Sequence, residues 1–150
     1  MVRRARRTEE AVAEAATLET AKAAAGARER RGAGTADPLV GELRRAGLLR
    51  LLVLHFCAEG PSYGNQLIER ITQLTGGLVA VNRNTMYPML RSLEADGLIA
   101  GEWEHPERRS RRFYTLTDAG REECARLHGH VGDLLDRLAG SIEAIRAELG

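Results

Sequence analysis

Hydrophobic residues just past the middle of the chain recur at helical spacing. Met86, Met89, Leu90 and Leu93 lie three or four residues apart, which places them on one face of a helix. Gly97 suits the end of this helix, because glycine enters the left-handed C-cap conformation without strain. The pattern predicts an amphipathic helix whose apolar face points towards a core.

The start of this helix is limited by Pro88, which has no N–H and should lie in or next to the first turn. Asn84 or Thr85 is suited to cap it, because a short polar side chain accepts a hydrogen bond from an unpaired backbone amide. We therefore expect the helix to begin at Asn84 or Thr85.

The face opposite the apolar stripe is basic, amide-bearing and aromatic, and it carries no acid before Glu94. It contains Arg83, Asn84, Tyr87, Arg91 and Ser92. These residue types bind phosphates and the edges of bases, so this face predicts a DNA recognition helix.

Two helices are predicted upstream. The segment from Leu39 to Ala58 is apolar on nearly every side after Gly47, which is typical of a buried helix. Ser62 is expected to cap a second helix that runs to about Leu74. Ser62 and Tyr63 would also suit a DNA phosphate, through their hydroxyls and the amides of the helix N-terminus.

Two strand-like segments follow the recognition helix. They span residues 98–104 and 111–116, and residues 105–110 between them form a turn. Two strands around a basic tip, directly after a helix, make a wing. Four arginines within five residues suit phosphates or a narrow minor groove: Arg108, Arg109, Arg111 and Arg112.

A narrow hydrophobic stripe runs along the end of the chain, after Thr117 as a predicted cap. Its spacing is close to the heptad seam of a coiled coil, and it contains Cys124, Leu127, Val131, Leu134, Leu135, Leu138, Ile142, Ile145 and Leu149. A helix from Asp118 to Leu149 would be ~48 Å long, too long to pack only on a small domain. A partner chain is therefore expected. Gly140 and Ser141 could divide the helix in two, but we expect a continuous one.

The predicted organisation has three parts. Residues 1–37 are an N-terminal extension and linker, flexible or partly helical because it has few large apolar side chains. An alternative role for its basic part is an arm that follows the minor groove. Residues 38–116 form the winged helix-turn-helix, and residues 117–150 the dimerisation helix. The expected fold is mainly α with a small two-stranded wing.

The charge distribution supports this division. The net charge is only +1, but residues 1–31 carry eight basic and five acidic side chains, and residues 116–150 carry four and seven. The acidic end is unlikely to face an anionic partner. No apolar run approaches the ~20 residues that span a bilayer. Two distant cysteines, Cys57 and Cys124, fit a cytoplasmic protein better than a disulfide scaffold.

At this point the sequence resembles the PadR family of bacterial transcriptional regulators. The local matches are residues 59–64, residues 85–90 with 93–94 and 97–99, Trp103 with residues 111–117, and residues 118–120. The resemblance extends over roughly residues 39–149. It implies a winged helix-turn-helix with a long C-terminal helix, and a homodimer that represses promoters and releases double-stranded DNA when a small-molecule effector binds.

In that family the last helix pairs with the first helix of the partner, and the effector pocket often lies there. The resemblance therefore implies an effector and dimer interface made by residues on both helices. They are Leu48, Leu52 and His55 on the first helix, and Leu127, Val131, Leu135, Leu138 and Ile142 on the last.

The predicted base contacts compete with ordinary structural roles. Arg83 and Arg91 are candidates for guanine, since the guanidinium fork matches the O6/N7 pair, although Arg91 would also suit a solvated helix face. Asn84 and Thr85 are as well suited to capping as to base contact. Tyr87 could donate its hydroxyl to a phosphate or pack half-buried on the helix.

Other functions are less favoured. Cys124 and His128 could share a helix face as metal ligands, but two packed cysteines are the favoured interpretation and no metal site is predicted. No catalytic constellation and no phosphate-binding glycine loop occurs, so neither an enzyme nor a cofactor is predicted. The alternative to a DNA-binding regulator is a winged-helix protein-interaction module.

Overall fold

The structure, a computed structural model, describes residues 38–108 and 110–150. In this part of the chain there are five helices and two strands: α1 (Pro38–Ala46), α2 (Leu48–Glu59), α3 (Gly64–Thr75), α4 (Arg83–Ala95), β1 (Ile99–Trp103), β2 (Arg112–Leu116) and α5 (Asp118–Leu149). The predicted class, mainly α with a two-stranded wing and a long last helix, is confirmed. The predictions for residues 1–37 and for Arg109 lie outside the described residues.

The single helix expected from Leu39 to Ala58 is wrong, because Gly47 divides it into α1 and α2. Gly47 has a φ of 105°, a left-handed conformation that favours glycine. Its N–H donates to the Arg44 carbonyl at 3.0 Å, and its own carbonyl accepts from Leu51 at 2.9 Å. One residue therefore ends α1 and starts α2.

The chain divides into two compact units, and the described residues of the first are 38–42 and 69–82. Within it, two backbone hydrogen bonds from consecutive glycines end α3. The Gly76 N–H donates to the Gln73 carbonyl at 3.3 Å, and the Gly77 N–H donates to the Thr72 carbonyl at 2.9 Å. This is a Schellman C-cap, which satisfies the last helical carbonyls. The buried side chains of this unit are Val40, Ile71, Val79 and Val81.

The second unit comprises Leu43–Ile68 and Arg83–Gly150. Its core forms around α2, which packs against α5 and β2, while α4 packs against β1. The apolar character of α2 on nearly every side follows from this central position. The fully or nearly buried side chains from α2, α4 and the wing include Val53, Leu54, Met86, Leu90, Leu93, Ile99 and Tyr114.

The wing is an antiparallel pair in which Ile99 faces Leu116 and Trp103 faces Arg112. Glu104 donates its N–H to the Arg111 carbonyl at 2.7 Å, which extends the pairing towards the tip. The Ser110 hydroxyl closes the turn by accepting the His105 N–H at 2.8 Å. The predicted hairpin is therefore confirmed.

Helix α5 runs unbroken for 32 residues, so it is continuous through Gly140 as expected. Thr117 caps it, since its hydroxyl oxygen accepts the Gly120 N–H at 3.0 Å. Residues of α5 are buried only as far as Val131. None of the helices in the described ranges combines the length and apolar character needed to cross a membrane.

Candidate nucleic-acid interface

The predicted recognition helix is α4, and its apolar face is buried through Met86, Leu90 and Leu93. Gly97, with a φ of 77°, ends it as predicted. Gly97 donates to the Glu94 carbonyl and the next residue donates to the Leu93 carbonyl, both at 3.0 Å. This Schellman motif satisfies the helix end and turns the chain directly into β1.

The expected start of this helix at Asn84 or Thr85 is wrong, since α4 begins at Arg83. Pro88 lies in the second turn, where its missing N–H removes only the bond to the Asn84 carbonyl near the helix start. Asn84 and Thr85 therefore lie inside the first turn instead of capping it. The Asn84 side chain remains exposed.

The exposed face of α4 contains Arg83, Asn84, Arg91 and Ser92. The guanidinium of Arg83 lies 5.2 Å from the centre of the Tyr87 ring. Arg91 and Ser92 lie about two turns further along, so polar groups cover the whole length of the exposed face. These side chains have the donors and acceptors needed to read base edges.

Tyr87 packs against the first residue of α3. A Cβ added at Gly64 would come within 2.7 Å of the Tyr87 Cζ and hydroxyl oxygen, so the ring lies directly on this glycine. The contact places the Tyr87 hydroxyl at the N-terminus of α3. Tyr87 is half-buried there, which is compatible with both the packing role and the phosphate contact considered from the sequence.

Ser62 is used inside the protein. It is only 2% exposed, and its hydroxyl donates to the Gly60 carbonyl at 3.1 Å. Its backbone exchanges two hydrogen bonds with Tyr114, at 3.0 and 2.9 Å, so it extends the wing sheet by one residue. The predicted cap at Ser62 is wrong, because α3 begins at Gly64 and the Ser62 hydroxyl donates to a carbonyl instead of accepting a helix amide.

The cap of α3 is Tyr63, whose carbonyl accepts the first helical bond from Leu67 at 3.0 Å. Its N–H donates to the side-chain oxygen of Gln66 at 3.4 Å, half of a capping box. The Tyr63 ring stacks edge-on against Phe113, with ring centres 5.4 Å apart. Tyr63 is therefore a half-buried residue shared by α3 and the wing.

Two of the four clustered arginines are paired with carboxylates. Arg111 binds Glu104 through Nε and Nη2 at 3.1 and 3.0 Å, and its guanidinium lies 4.6 Å from the centre of the Tyr63 ring. The hydrogen bond from Arg111 holds the pKa of Glu104 below its usual value. Arg112 binds Glu94 at 2.6 Å.

The other two clustered arginines differ in position. Arg108 is exposed at the wing tip, where its backbone N–H bonds to the His105 carbonyl at 3.1 Å. Arg109 lies outside the described residues. The sequence pattern showed four positive charges, but it did not reveal which of them have acidic partners. Glu94 lies 18 residues before Arg112, and Glu104 lies seven residues before Arg111.

The predicted effector and dimer residues fall into two groups. Leu48, Leu127 and Val131 are buried within this chain, where α2 packs on α5, so they are core residues. The other five are exposed or half-buried: Leu52, His55, Leu135, Leu138 and Ile142. Among them, His55 pairs with Glu59 at 3.2 Å.

The described ranges contain no group of three or more His, Cys, Asp or Glu side chains that could hold a metal ion. Cys57 is buried, and burial raises the pKa of its thiol to about 11. Burial also raises the pKa of Cys124. A raised pKa reduces the fraction of reactive thiolate at both cysteines.

Known proteins with sequences similar to this chain are transcriptional regulators. The model of the Transcriptional regulator PadR-like family matches residues 53–126, a range that includes every described candidate DNA-binding residue. Transcriptional regulator Rv3488 of Mycobacterium tuberculosis is 38% identical over 80 residues, which cover 53% of this chain and 71% of that protein.

Solved structures show the same relationship. A PadR family transcriptional regulator from Eggerthella lenta is 32% identical, with a TM-score of 0.55 over 70% of this chain and 89% of that one. A transcriptional regulator from Clostridium thermocellum shares the fold, with a TM-score of 0.56 over 67% and 96% of the two chains and 22% identity. The family match and the Mycobacterium tuberculosis and Eggerthella lenta relatives show that the chain belongs to the PadR-like family of transcriptional regulators.

Proposed function

We propose that the protein is a cytoplasmic homodimeric repressor that binds double-stranded DNA through α4 and the wing. The observation that carries this proposal is the exposed face of α4, which presents Arg83, Asn84 and Arg91. Glu94 is the only acid in this helix, and Arg112 neutralises it. The helix therefore offers DNA a polar and basic surface with no uncompensated negative charge.

The proposed division of labour places base contacts on α4. Arg83 and Arg91 are suited to the O6 and N7 acceptors of guanine, and Asn84 to the N6 and N7 groups of adenine. Thr85 lies in the same first turn, where recognition helices commonly meet base edges. Since Asn84 does not cap the helix, its amide is exposed on the face that would enter the major groove.

Phosphate contacts are proposed for the start of α3 and the wing tip. Tyr63 and Tyr87 lie at the N-terminus of α3, whose amides favour an anion. Arg108 is exposed at the tip. A phosphate contact is also proposed for Arg109, as predicted from the sequence. Arg111 and Arg112 are engaged with carboxylates, so we assign them to holding the wing in shape.

The dimer and its response to a ligand are proposed on α2 and α5. Exposed apolar side chains continue along α5 after Val131, as a second chain would require. Pairing would place two α4 helices in successive major grooves, ~34–36 Å apart. A small molecule between Leu52 and His55 of one chain and α5 of its partner would favour a dimer with different spacing, and so release the DNA.

The direct test is a fluorescence anisotropy titration on DNA from upstream of the protein's own coding region, repeated at several salt concentrations. We expect specific binding that weakens as salt increases, since bound phosphates release counterions. Absence of both a specific complex and a salt dependence would contradict DNA binding and favour the protein-interaction module. A reporter gene behind the bound fragment then tests repression.

Two variants test the assignment of individual contacts. Arg91→Ala should relax sequence preference at one or two base pairs, because a base contact discriminates by about 1–3 kcal/mol. Arg108→Ala should weaken binding equally on all sequences and reduce the slope of log K against log salt by about 0.9. Arg137→Ala removes the same charge from α5 and serves as the control. Identical behaviour of the first two variants would contradict the assignment.

A further inference from the structure

Arg112 connects the wing to the recognition helix. It is the first residue of β2, and Glu94 is the next-to-last residue of α4. The Arg112 Nη2 donates to the Glu94 carboxylate at 2.6 Å. The two side chains are 28% and 32% exposed, so the pair is partly shielded from water. Shielding of this kind distinguishes it from an ordinary surface ion pair, which contributes little.

Residues of the wing surround the Arg112 side chain. A Cβ at Gly101 would come within 2.6 Å of the Arg112 Nε, so the arginine side chain in its present position lies directly on Gly101 of β1. The guanidinium is 5.2 Å from the centre of the Trp103 ring and 6.0 Å from that of Tyr114. Three residues of the sheet therefore define where Arg112 can reach.

The location of the pair differs from that of the other wing contacts. The backbone bonds between Ser62 and Tyr114 hold β2 two residues further from the tip. The Arg111–Glu104 pair joins two residues of the same hairpin. Among the ion pairs formed within residues 38–108 and 110–150, Arg112–Glu94 joins the wing to α4. It therefore acts on the angle between the two elements proposed to meet DNA.

We propose that Arg112 and Glu94 are positioning residues that set the wing against the recognition helix for a single DNA surface. This inference rests on the DNA-binding function proposed above. Neither side chain touches DNA in this role. Arg112 also neutralises the one acid of α4, so both the geometry and the charge of the interface depend on the same hydrogen bond.

Whether one substitution raises or lowers the DNA affinity separates this positioning role from simple electrostatics. Removing an acid close to DNA should strengthen binding if charge alone matters. Glu94→Gln, which keeps the shape and removes the charge, should instead weaken binding about tenfold, a coupling typical of neighbouring residues in one network. Glu102→Gln is the matched control, because Glu102 is an exposed acid on the outer face of the same wing. We expect it to leave the affinity unchanged or raise it.

The second arm uses Arg112→Met and the double variant Glu94→Gln/Arg112→Met in the full chain. Each single variant should lower the DNA affinity about tenfold. The DNA affinity of the double variant should be no lower than that of the single variant that binds less tightly. The salt slope should stay at its wild-type value. A slope reduced by about 0.9 in Arg112→Met would show a direct phosphate contact and overturn the proposal.

Trp103 supplies a readout that needs no DNA, since it is the only tryptophan in the chain. Its emission should change in Glu94→Gln, because the guanidinium above the ring loses its anchor. Gly101→Ala keeps both charges but displaces Arg112, so it should change the emission and weaken DNA binding alike. Thermal unfolding of every variant identifies any that fail to fold, in which case Glu94→Gln, the isosteric change, decides.

The outcomes distinguish this proposal from the function on which it rests. If the wild-type chain binds DNA and Glu94→Gln binds as tightly or more tightly, only the positioning role is overturned. Unchanged Trp103 emission in Glu94→Gln would overturn it as well. A wild-type chain that binds no DNA would overturn the proposed function, and the positioning role with it.

Discussion

At the scale of single residues, an arginine's neighbours decide what it can bind. The wing cluster reads along the chain as one basic surface, yet Glu104 holds Arg111 and Glu94 holds Arg112. Arg108 remains exposed on the same hairpin. Residue type and local density predict the charge of a segment, whereas the availability of each charge depends on acids that fold next to it.

Cys57 provides a prediction at this scale, because it is buried and the pKa of its thiol is raised to about 11. At pH 8 only about 0.1% of such a thiol is ionised, and the thiolate is the reactive form. In a Cys124→Ser variant, a thiol reagent should therefore label Cys57 about 100-fold more slowly in the native protein than in denaturant.

The same shift has a consequence for stability. A folded-state pKa above the unfolded value means that only the unfolded thiol ionises as the pH rises from 9 towards 11. The free energy of unfolding should therefore fall across this window, and less so in Cys57→Ser. Fast native labelling at pH 8 would contradict the burial of this thiol.

At the scale of elements, the end of α4 is joined to the start of α5. The Thr117 hydroxyl donates to the Gly97 carbonyl at 2.6 Å, and the Thr117 N–H donates to the Leu98 carbonyl at 3.1 Å. A side chain at Gly120 would collide with that same Leu98 carbonyl oxygen. The end of α4 and the start of α5 are therefore joined through Thr117 and packed closely at Gly120.

Two glycines of α5 give a matched prediction for this joint. Gly120→Ala should destabilise the protein by about 1–3 kcal/mol, because backbone must move to admit the methyl group. Gly129→Ala should stabilise it by about 0.5–1 kcal/mol, since alanine is the better helix former and nothing lies within 4 Å of the added Cβ. Chemical denaturation of both variants measures the difference. Equal effects would show that the joint is not tightly packed.

At the scale of the whole molecule, the far half of α5 presents a hydrophobic surface. Leu135, Leu138, Ile142, Ile145 and Leu149 are separated by three, four, three and four residues, the spacing of a heptad seam. Leu135 is 40% exposed and Leu138 is half-buried, and the exposure then rises from 50% at Ile142 to 83% at Leu149. A stripe of this kind is suited to a second copy of the helix, which supports the proposed homodimer.

Ile142→Asp tests that proposal. Placing a carboxylate in the middle of the seam should raise the dimer dissociation constant about 30-fold or more. DNA affinity should fall with it, because each half-site would then be bound separately. Ala147→Asp adds the same charge on an exposed position away from the seam and should leave the dimer intact. Analytical ultracentrifugation measures both, and a monomeric wild-type chain would contradict the dimer.

The sequence alone determined the features that depend on neighbours along the chain. The apolar stripe of α4, its glycine end, the hairpin and the Thr117 cap all follow from local spacing and residue type, and the structure confirms them. The errors at Gly47 and at the start of α4 are also local, because a left-handed glycine and a proline in a second turn are tolerated only in a particular context.

Only the tertiary structure decided which side chains remain available. Ser62 is buried by its pairing with β2, Leu127 by the packing of α5 on α2, and Arg112 is engaged by Glu94. The physical reason is that burial and ion pairing depend on residues that are distant in sequence and adjacent in space. Periodicity therefore specifies which face of an element is apolar, while the folded core specifies which polar groups remain exposed and unpaired with acids.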